Sequence, residues 1–375
     1  MPGIPSEETE RGLTLAEEAV VVACGLMTPV GLSAPETAAS ARSRLQRLGE
    51  IEVRDRRYRR IVAGFVPEDG LPDLNPAAAL LPWRAGRMLR LAEVPLNEAL
   101  KPLPKDAGPI PLMLGLPEIE TAIPLDPAKL FECLEGVAPV SAKESKGFTE
   151  GRASAILALA AGVERVASGK SPWCVIGGVD SQIDLSILAT LDLKGRIRNA
   201  ANPDGLAPSE GAAFLLLTTA AEAKRRKLRP LAKIVTCASG FEKGHIASEE
   251  PYRGDGLAET FTAAFDQAGD LNPVGCVYAS FNGERYWAKE FGVAFLRNRA
   301  KFDPAHQMEH PAECFGDLGA AHGAALLALA CLGIDGGYRR APTLVYSSSD
   351  HGRRGVALVD AVKPDGEGPS RKGAL

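Results

Sequence analysis

Apolar residues along this chain fall in short, nearly continuous runs, not in the alternating pattern of a half-solvated sheet. Residues 18–24 (EAVVVAC) form a β-branched run that ends at Gly25 and Thr28-Pro29, which predicts a buried strand passing into a loop. Residues 229–237 (RPLAKIVTC) repeat that event past mid-chain. Two longer segments, 152–168 (RASAILALAAGVERVAS) and 318–334 (LGAAHGAALLALACLGI), are apolar on almost every side, the pattern of a helix enclosed by other layers. The first leads into an apolar strand at 173–179 (WCVIGGV), and the second is followed by strands at 342–346 and 355–359.

Each half therefore reads strand, helices, buried helix, strand, strand. This predicts an internal duplication with halves 18–225 and 226–362, alternating β and α elements and layered α/β/α/β/α. Segments 1–17 and 363–375 are polar and rich in Glu, Gly, Pro and Lys, so they are expected to be flexible. No glycine-rich dinucleotide motif or P-loop follows any strand.

With 375 residues the chain is long enough for two domains or one large duplicated fold, and 45% hydrophobic with 24% charged residues is ordinary for a globular protein. The formal charge of -4 offers no global attraction for nucleic acid or an anionic membrane. Two basic clusters, 54–60 (RDRRYRR) and 224–229 (KRRKLR), have the composition to grip phosphate, but the favoured reading is a solvated strand edge and a solvated helix end. The seven cysteines lack CxxC spacing and several sit in apolar runs, so they read as reduced core residues. No Cys/His cluster has metal-ligand spacing, and neither a metal nor a cofactor is expected. The acidic N-terminus lacks an apolar stretch, and the apolar runs 153–163 and 324–334 are too short to cross a bilayer, so the protein is expected in the cytoplasm.

Five blocks carry a further signal. Residues 20–31 (VVVACGLMTPVG), 167–181 (ASGKSPWCVIGGVDS), 202–217 (NPDGLAPSEGAAFLLL), 315–325 (FGDLGAAHGAA) and 347–359 (SSSDHGRRGVALV) resemble, in order, segments of the β-ketoacyl synthases, the ketosynthase branch of the thiolase superfamily. The third is the most specific, with Asp204, Gly205, Glu210 and Gly211 at matching places. The resemblance implies the thiolase fold, duplicated and five-layered.

Members of that family hold an acyl chain on a cysteine thiolate at the N-terminus of a buried helix, and two histidines assist decarboxylation and stabilise the oxyanion. Counted along the blocks, the nucleophile position falls on Arg152, and neighbours 149–154 contain no cysteine. The histidine positions fall on Ser280 and Gly316, and the family's lysine on Pro311. Arginine is no nucleophile, and Ser280 cannot shuttle protons near neutral pH. The resemblance thus implies a ketosynthase-like protein without its catalytic set, acting as a binding, adaptor or chaperone-like protein. Proteins of this degenerate kind are similar to the thiolase-like proteins encoded beside type VI secretion effectors. The alternative is an active β-ketoacyl-ACP synthase or acyltransferase with relocated residues, Cys314 with His310 and His322, or His351 in the closing loop.

For the non-catalytic reading, Arg152 either binds an anion or pairs with Glu144 or Glu150, while Glu210 serves a turn or a ligand. Arg353 and Arg354 are expected at the mouth of a groove that accepts an acidic peptide or an anionic carrier group. A protein partner is expected, with a remnant acyl-carrier or acyl-CoA pocket. A homodimer is expected to form through the strand at 173–179.

Overall fold

A computed structural model describes residues 18–118 and 125–362; the expectations for 1–17 and 363–375 lie outside the described residues. Along the first half run β1 (Ala19–Met27), α1 (Ala34–Arg42), β2 (Gly49–Arg54), β3 (Arg60–Ala63), α2 (Trp83–Leu100), β4 (Leu112–Gly115), α3 (Pro127–Glu135), β5 (Lys146–Phe148), α4 (Ser154–Ala167), β6 (Cys174–Ser181), α5 (Leu185–Leu193), β7 (Glu210–Thr219) and α6 (Ala220–Arg225). The second half has β8 (Ala232–Phe241), α7 (Asp255–Ala268), β9 (Val274–Ala279), α8 (Arg285–Arg297), β10 (Phe302–Glu309), α9 (Ala312–Phe315), α10 (His322–Asp335), β11 (Thr343–Ser348) and β12 (Arg353–Asp360).

Ten strands are joined in the order β10-β9-β11-β12-β8-β1-β7-β6-β4-β5. The join at β8 and β1 consists of only Val20 opposite Lys233 and Val21 opposite Ala232, so the ribbon is two five-stranded sheets touching at one edge. Both sheets place their strands in the same order, third, second, fourth, fifth, first, and in both the fifth strand is antiparallel to its two neighbours.

Period-2 side-chain placement sorts each strand between two cores. In β7, Ala213, Leu215 and Leu217 face the middle layer, where α4 and α10 lie between the sheets, while Ala212, Phe214 and Leu216 face α2 and α3 outside. In β12, Ala357 and Val359 face the middle layer, and Val356 and Leu358 face α7 and α8. The result is α/β/α/β/α, with both predicted enclosed helices in the central layer. The central strands β1, β4, β6, β7, β9, β11 and β12 are buried on both faces along nearly their whole length, which is why their apolar runs are continuous. Among the described residues no helix is long and apolar enough to cross a membrane.

One expectation is corrected here. The strand at 173–179, proposed as a subunit-pairing edge, belongs to β6, which is hydrogen-bonded to β4 on one side and β7 on the other. Its backbone is fully used inside the sheet. The outer edge of that sheet is the three-residue β5.

Candidate functional site

Both central helices begin with a tight turn, Gly151–Ala153 before α4 and Gly319–Ala321 before α10, and the two helix starts meet. Gly323 permits the approach: a β-carbon there would stand 2.9 Å from the Arg152 carbonyl oxygen. Arg152 therefore sits where two N-terminal helix ends converge, a place that disfavours a cation unless anions compensate.

They do compensate. The buried Arg152 guanidinium donates to Asp317 Oδ2 at 2.5 Å, to Asp350, and through Nε to the Ser348 carbonyl at 2.9 Å. Its flat face lies 4.5 Å from the ring of buried Trp287. Asp350 also receives Arg196 Nη1 at 2.5 Å, and Arg196 grips Glu284 with two hydrogen bonds of 2.6 and 2.7 Å. Asn282 closes the ring, donating to Asp317 at 2.9 Å and to Glu284 at 3.1 Å. Burial alone would raise the Asp317 and Asp350 carboxyls, but Arg152, joined at Asp350 by Arg196, outweighs it and holds both below the usual carboxylate range. The same carboxylates overcome the burial penalty on Arg152 and keep it charged. The expected partners Glu144 and Glu150 are not used: Glu144 pairs with Arg165 instead, and carboxylates from distant loops take Arg152.

Ser280 is buried and its Oγ accepts the Ser348 N–H at 3.1 Å, so it serves the backbone of β11. Gly316 has φ +84°, and a β-carbon there would lie 2.8 Å from the Ala207 carbonyl oxygen, leaving no room for an imidazole. Asn282 and Asp317, two positions and one position further along, present the side chains that converge on the Arg152 network. Neither was singled out from the sequence. The signal was the arginine itself, since a cation on an enclosed helix demands buried carboxylates, and Asp317 and Asp350 both lie within recognised blocks, 315–325 and 347–359.

Cys314 is buried and burial pushes its thiol up to about 11. Among the described residues no hydrogen bond or ion pair links it to His310, which stands 3.4 Å from Glu313, or to His322. His322 is fully buried, and desolvation lowers it to about 4, so it is neutral; its Nδ1 accepts the Leu318 N–H at 3.4 Å. His351 is half-exposed and contacts Glu118 through Nδ1. Burial pushes all seven thiols above their ordinary range.

Two candidate binding residues face inward. Arg354 is completely buried and paired with Glu290 at 2.6 Å, because β12 is an interior strand and the side chain turns toward α8. Glu210 accepts from Val66 N–H at 3.0 Å, Ser181 Oγ at 2.8 Å and Arg87 at 2.6 Å, which braces β7 against α2. Neither is available to a ligand. Arg353, the neighbour of Arg354, is partly exposed.

Beside the network opens a cavity of about 230 Å3 lined by Arg84, Ile187, Lys194, Arg196, Asp350 and His351, among others. Arg84 is itself held by Asp180 at 2.6 Å. The cavity offers charge and shape, and no three His, Cys, Asp or Glu side chains among the described residues gather to hold a metal.

No family model matches the sequence, and no curated protein matches it. Solved structures do match the fold. The ishigamide ketosynthase/chain length factor is 17% identical, with 93% of this chain and all of that chain covered and a TM-score of 0.76. A type II PKS ketosynthase solved in complex with its acyl-carrier protein is 16% identical, with 92% of this chain and 100% of that chain covered at a TM-score of 0.77. The ketosynthase from module 6 of the bacillaene synthase of Bacillus subtilis 168 is 11% identical, with coverage of 93% and 73% and a TM-score of 0.78. The middle-layer helices, the paired sheets and these alignments agree: the chain has the five-layered fold seen in these ketosynthases.

Proposed function

We propose that this chain is a non-catalytic ketosynthase-like protein that works by binding another protein. The observation that carries the reading is Arg152, which fills the expected nucleophile position and is neutralised by Asp317 and Asp350. Acyl transfer needs a thiolate there, and a thiolate facing two carboxylates would be disfavoured twice over, by burial and by like charge. The loss of one member of a cooperating catalytic set removes most of the rate. What the sequence keeps is the scaffold, with halves 18–225 and 226–362 as its units, in the cytoplasm. One structural neighbour is a ketosynthase/chain length factor and another was solved with an acyl-carrier protein, which supports a protein partner of that general kind. In this reading any two-fold dimer forms along the β5 edge, since β6 is interior.

The test is a pair of measurements on the purified full chain. Malonyl thioesters should release no carbon dioxide in its presence, and tagged protein should recover one partner at fixed stoichiometry from its native cells. Thioester turnover without a partner would favour an active enzyme instead.

A further inference from the structure

The hairpin of β2 and β3 ends in a turn that the Arg152 network does not use. Residues 54–60 hold five arginines against one aspartate, a local charge of +4 on a chain whose total is -4. The turn is built, not loose. Buried Asp55 accepts the N–H groups of Arg57 at 2.8 Å and Arg59 at 2.9 Å, Arg59 Nε at 2.7 Å and Asn199 Nδ2 at 3.2 Å. The Arg56 N–H donates to Asp192 Oδ2 at 2.8 Å, which fixes the tip on the C-terminal end of α5. At the apex Tyr58 adopts φ +61° and is 82% exposed. A non-glycine residue held in the left-handed region at a solvent-facing tip is a strained display, retained only where the surrounding structure fixes it.

The charges divide into used and unused. Arg59 pairs with Asp55, Arg54 donates to the Tyr58 carbonyl, and Arg60 stands 3.7 Å from the exposed Glu52. The guanidinium groups of Arg56 and Arg57 make no hydrogen bond or ion pair among the described residues. Two residues beyond Asp192, exposed Lys194 is likewise unpaired and lines the cavity, beside Leu193 at 69% exposure. The Arg56–Asp192 hydrogen bond thus joins the turn that carries Arg56, Arg57 and Tyr58 to the end of α5, where Leu193 is exposed and Lys194 lines the cavity, a cationic, partly apolar ridge.

We propose that this ridge is the docking site for an acidic segment of a protein partner, seated so that it covers the cavity beside Lys194. The proposal rests on the non-catalytic reading only for supposing that a partner exists. Three features favour it. Unpaired arginines and an exposed tyrosine are the side chains that carry most binding energy at protein interfaces. The turn is already ordered, so docking costs little chain entropy. The ridge is positive on a negative chain, which orients an acidic surface toward it. A nucleic acid is disfavoured, because one exposed aromatic gives no stacking platform and the chain's total charge repels a long polyanion.

The experiment titrates the full chain against a fluorescein-labelled helical peptide carrying Glu on one face and Leu beside it, with a Lys-for-Glu version and a single-stranded DNA oligonucleotide as comparisons. Anisotropy should show binding of the acidic peptide alone, weakening as salt rises. The double variant R56E/R57E, which keeps both backbone N–H groups, should bind at least about tenfold more weakly. Tyr58→Gly adopts the same positive φ without strain and should weaken binding while melting no earlier than wild type. No binding by wild type, unchanged binding in both variants, or tighter binding of the oligonucleotide would each overturn the proposal. Thioester turnover, measured on the same samples, reports failure of the non-catalytic reading separately.

Discussion

Replacing Arg152 by methionine keeps much of the side-chain volume but strands a carboxylate. Asp317 is fully buried and would keep only the Asn282, Gln182 and Gly319 hydrogen bonds, while Asp350 would keep Arg196. Breaking a buried pair by deleting one partner costs roughly 3–5 kcal/mol. With an unfolding entropy near 2.1 cal/mol/K per residue, the chain has about 0.8 kcal/mol/K, so the melting temperature should fall by on the order of 5 °C at neutral pH. The pH dependence is the sharper sign. In wild type the folded pKa of Asp317 is depressed, so its contribution is present above the unfolded value of about 3.9 and is lost as pH falls through the lower folded one. In Arg152→Met burial prevails, the folded pKa rises above the unfolded one, and the penalty is full only where Asp317 must ionise. The difference between the two proteins should therefore shrink as pH drops toward about 4. Thermal melts by circular dichroism across that range measure it, and adding Asp317→Asn should recover part of the loss. A difference that stays constant with pH, or a variant as stable as wild type, would refute the role given to this ion pair.

Arg354→Glu should fail to yield folded protein, because it places a second carboxylate against the buried Glu290; Arg353→Glu, on a partly exposed side chain, should express normally. Iodoacetamide at mildly alkaline pH should label the native chain slowly at every cysteine, since all seven thiols are shifted up, and rapid labelling of Cys314 would contradict its place in the core. Gly316→His should destabilise the fold and restore no chemistry, because the new β-carbon meets the Ala207 carbonyl and the backbone is in the left-handed region; a variant that melts with wild type would show the turn can relax.

The layered architecture was legible because its physics is local. Strands covered on both faces must be apolar without alternation, and helices packed between two sheets must be small and apolar all round, as residues 153–163 and 324–334 are. The site was legible only in outline. Arg152 stood out as a cation on an enclosed helix, but its carboxylates are 165 and 198 residues away, and no local pattern marks that pairing. Motif counting named Ser280 and Gly316, whereas the Arg152 network is built by Asn282 and Asp317, which no motif singled out. β6 could not be told from an edge strand, since its apolar run suits a central position equally well. Arg354 was assigned to the surface by the ordinary preference of charges; only the fold brings Glu290 to it.

Intact-mass spectrometry of the chain after incubation with acyl-CoA and acyl-carrier thioesters tests the absence of catalysis most directly. The wild type should keep its unmodified mass, and Arg152→Cys should do so as well, because a thiol placed there faces Asp317 and Asp350 and is held protonated. A thioester-dependent acyl adduct on the wild-type chain, at Cys314 or any other residue, would contradict the non-catalytic reading.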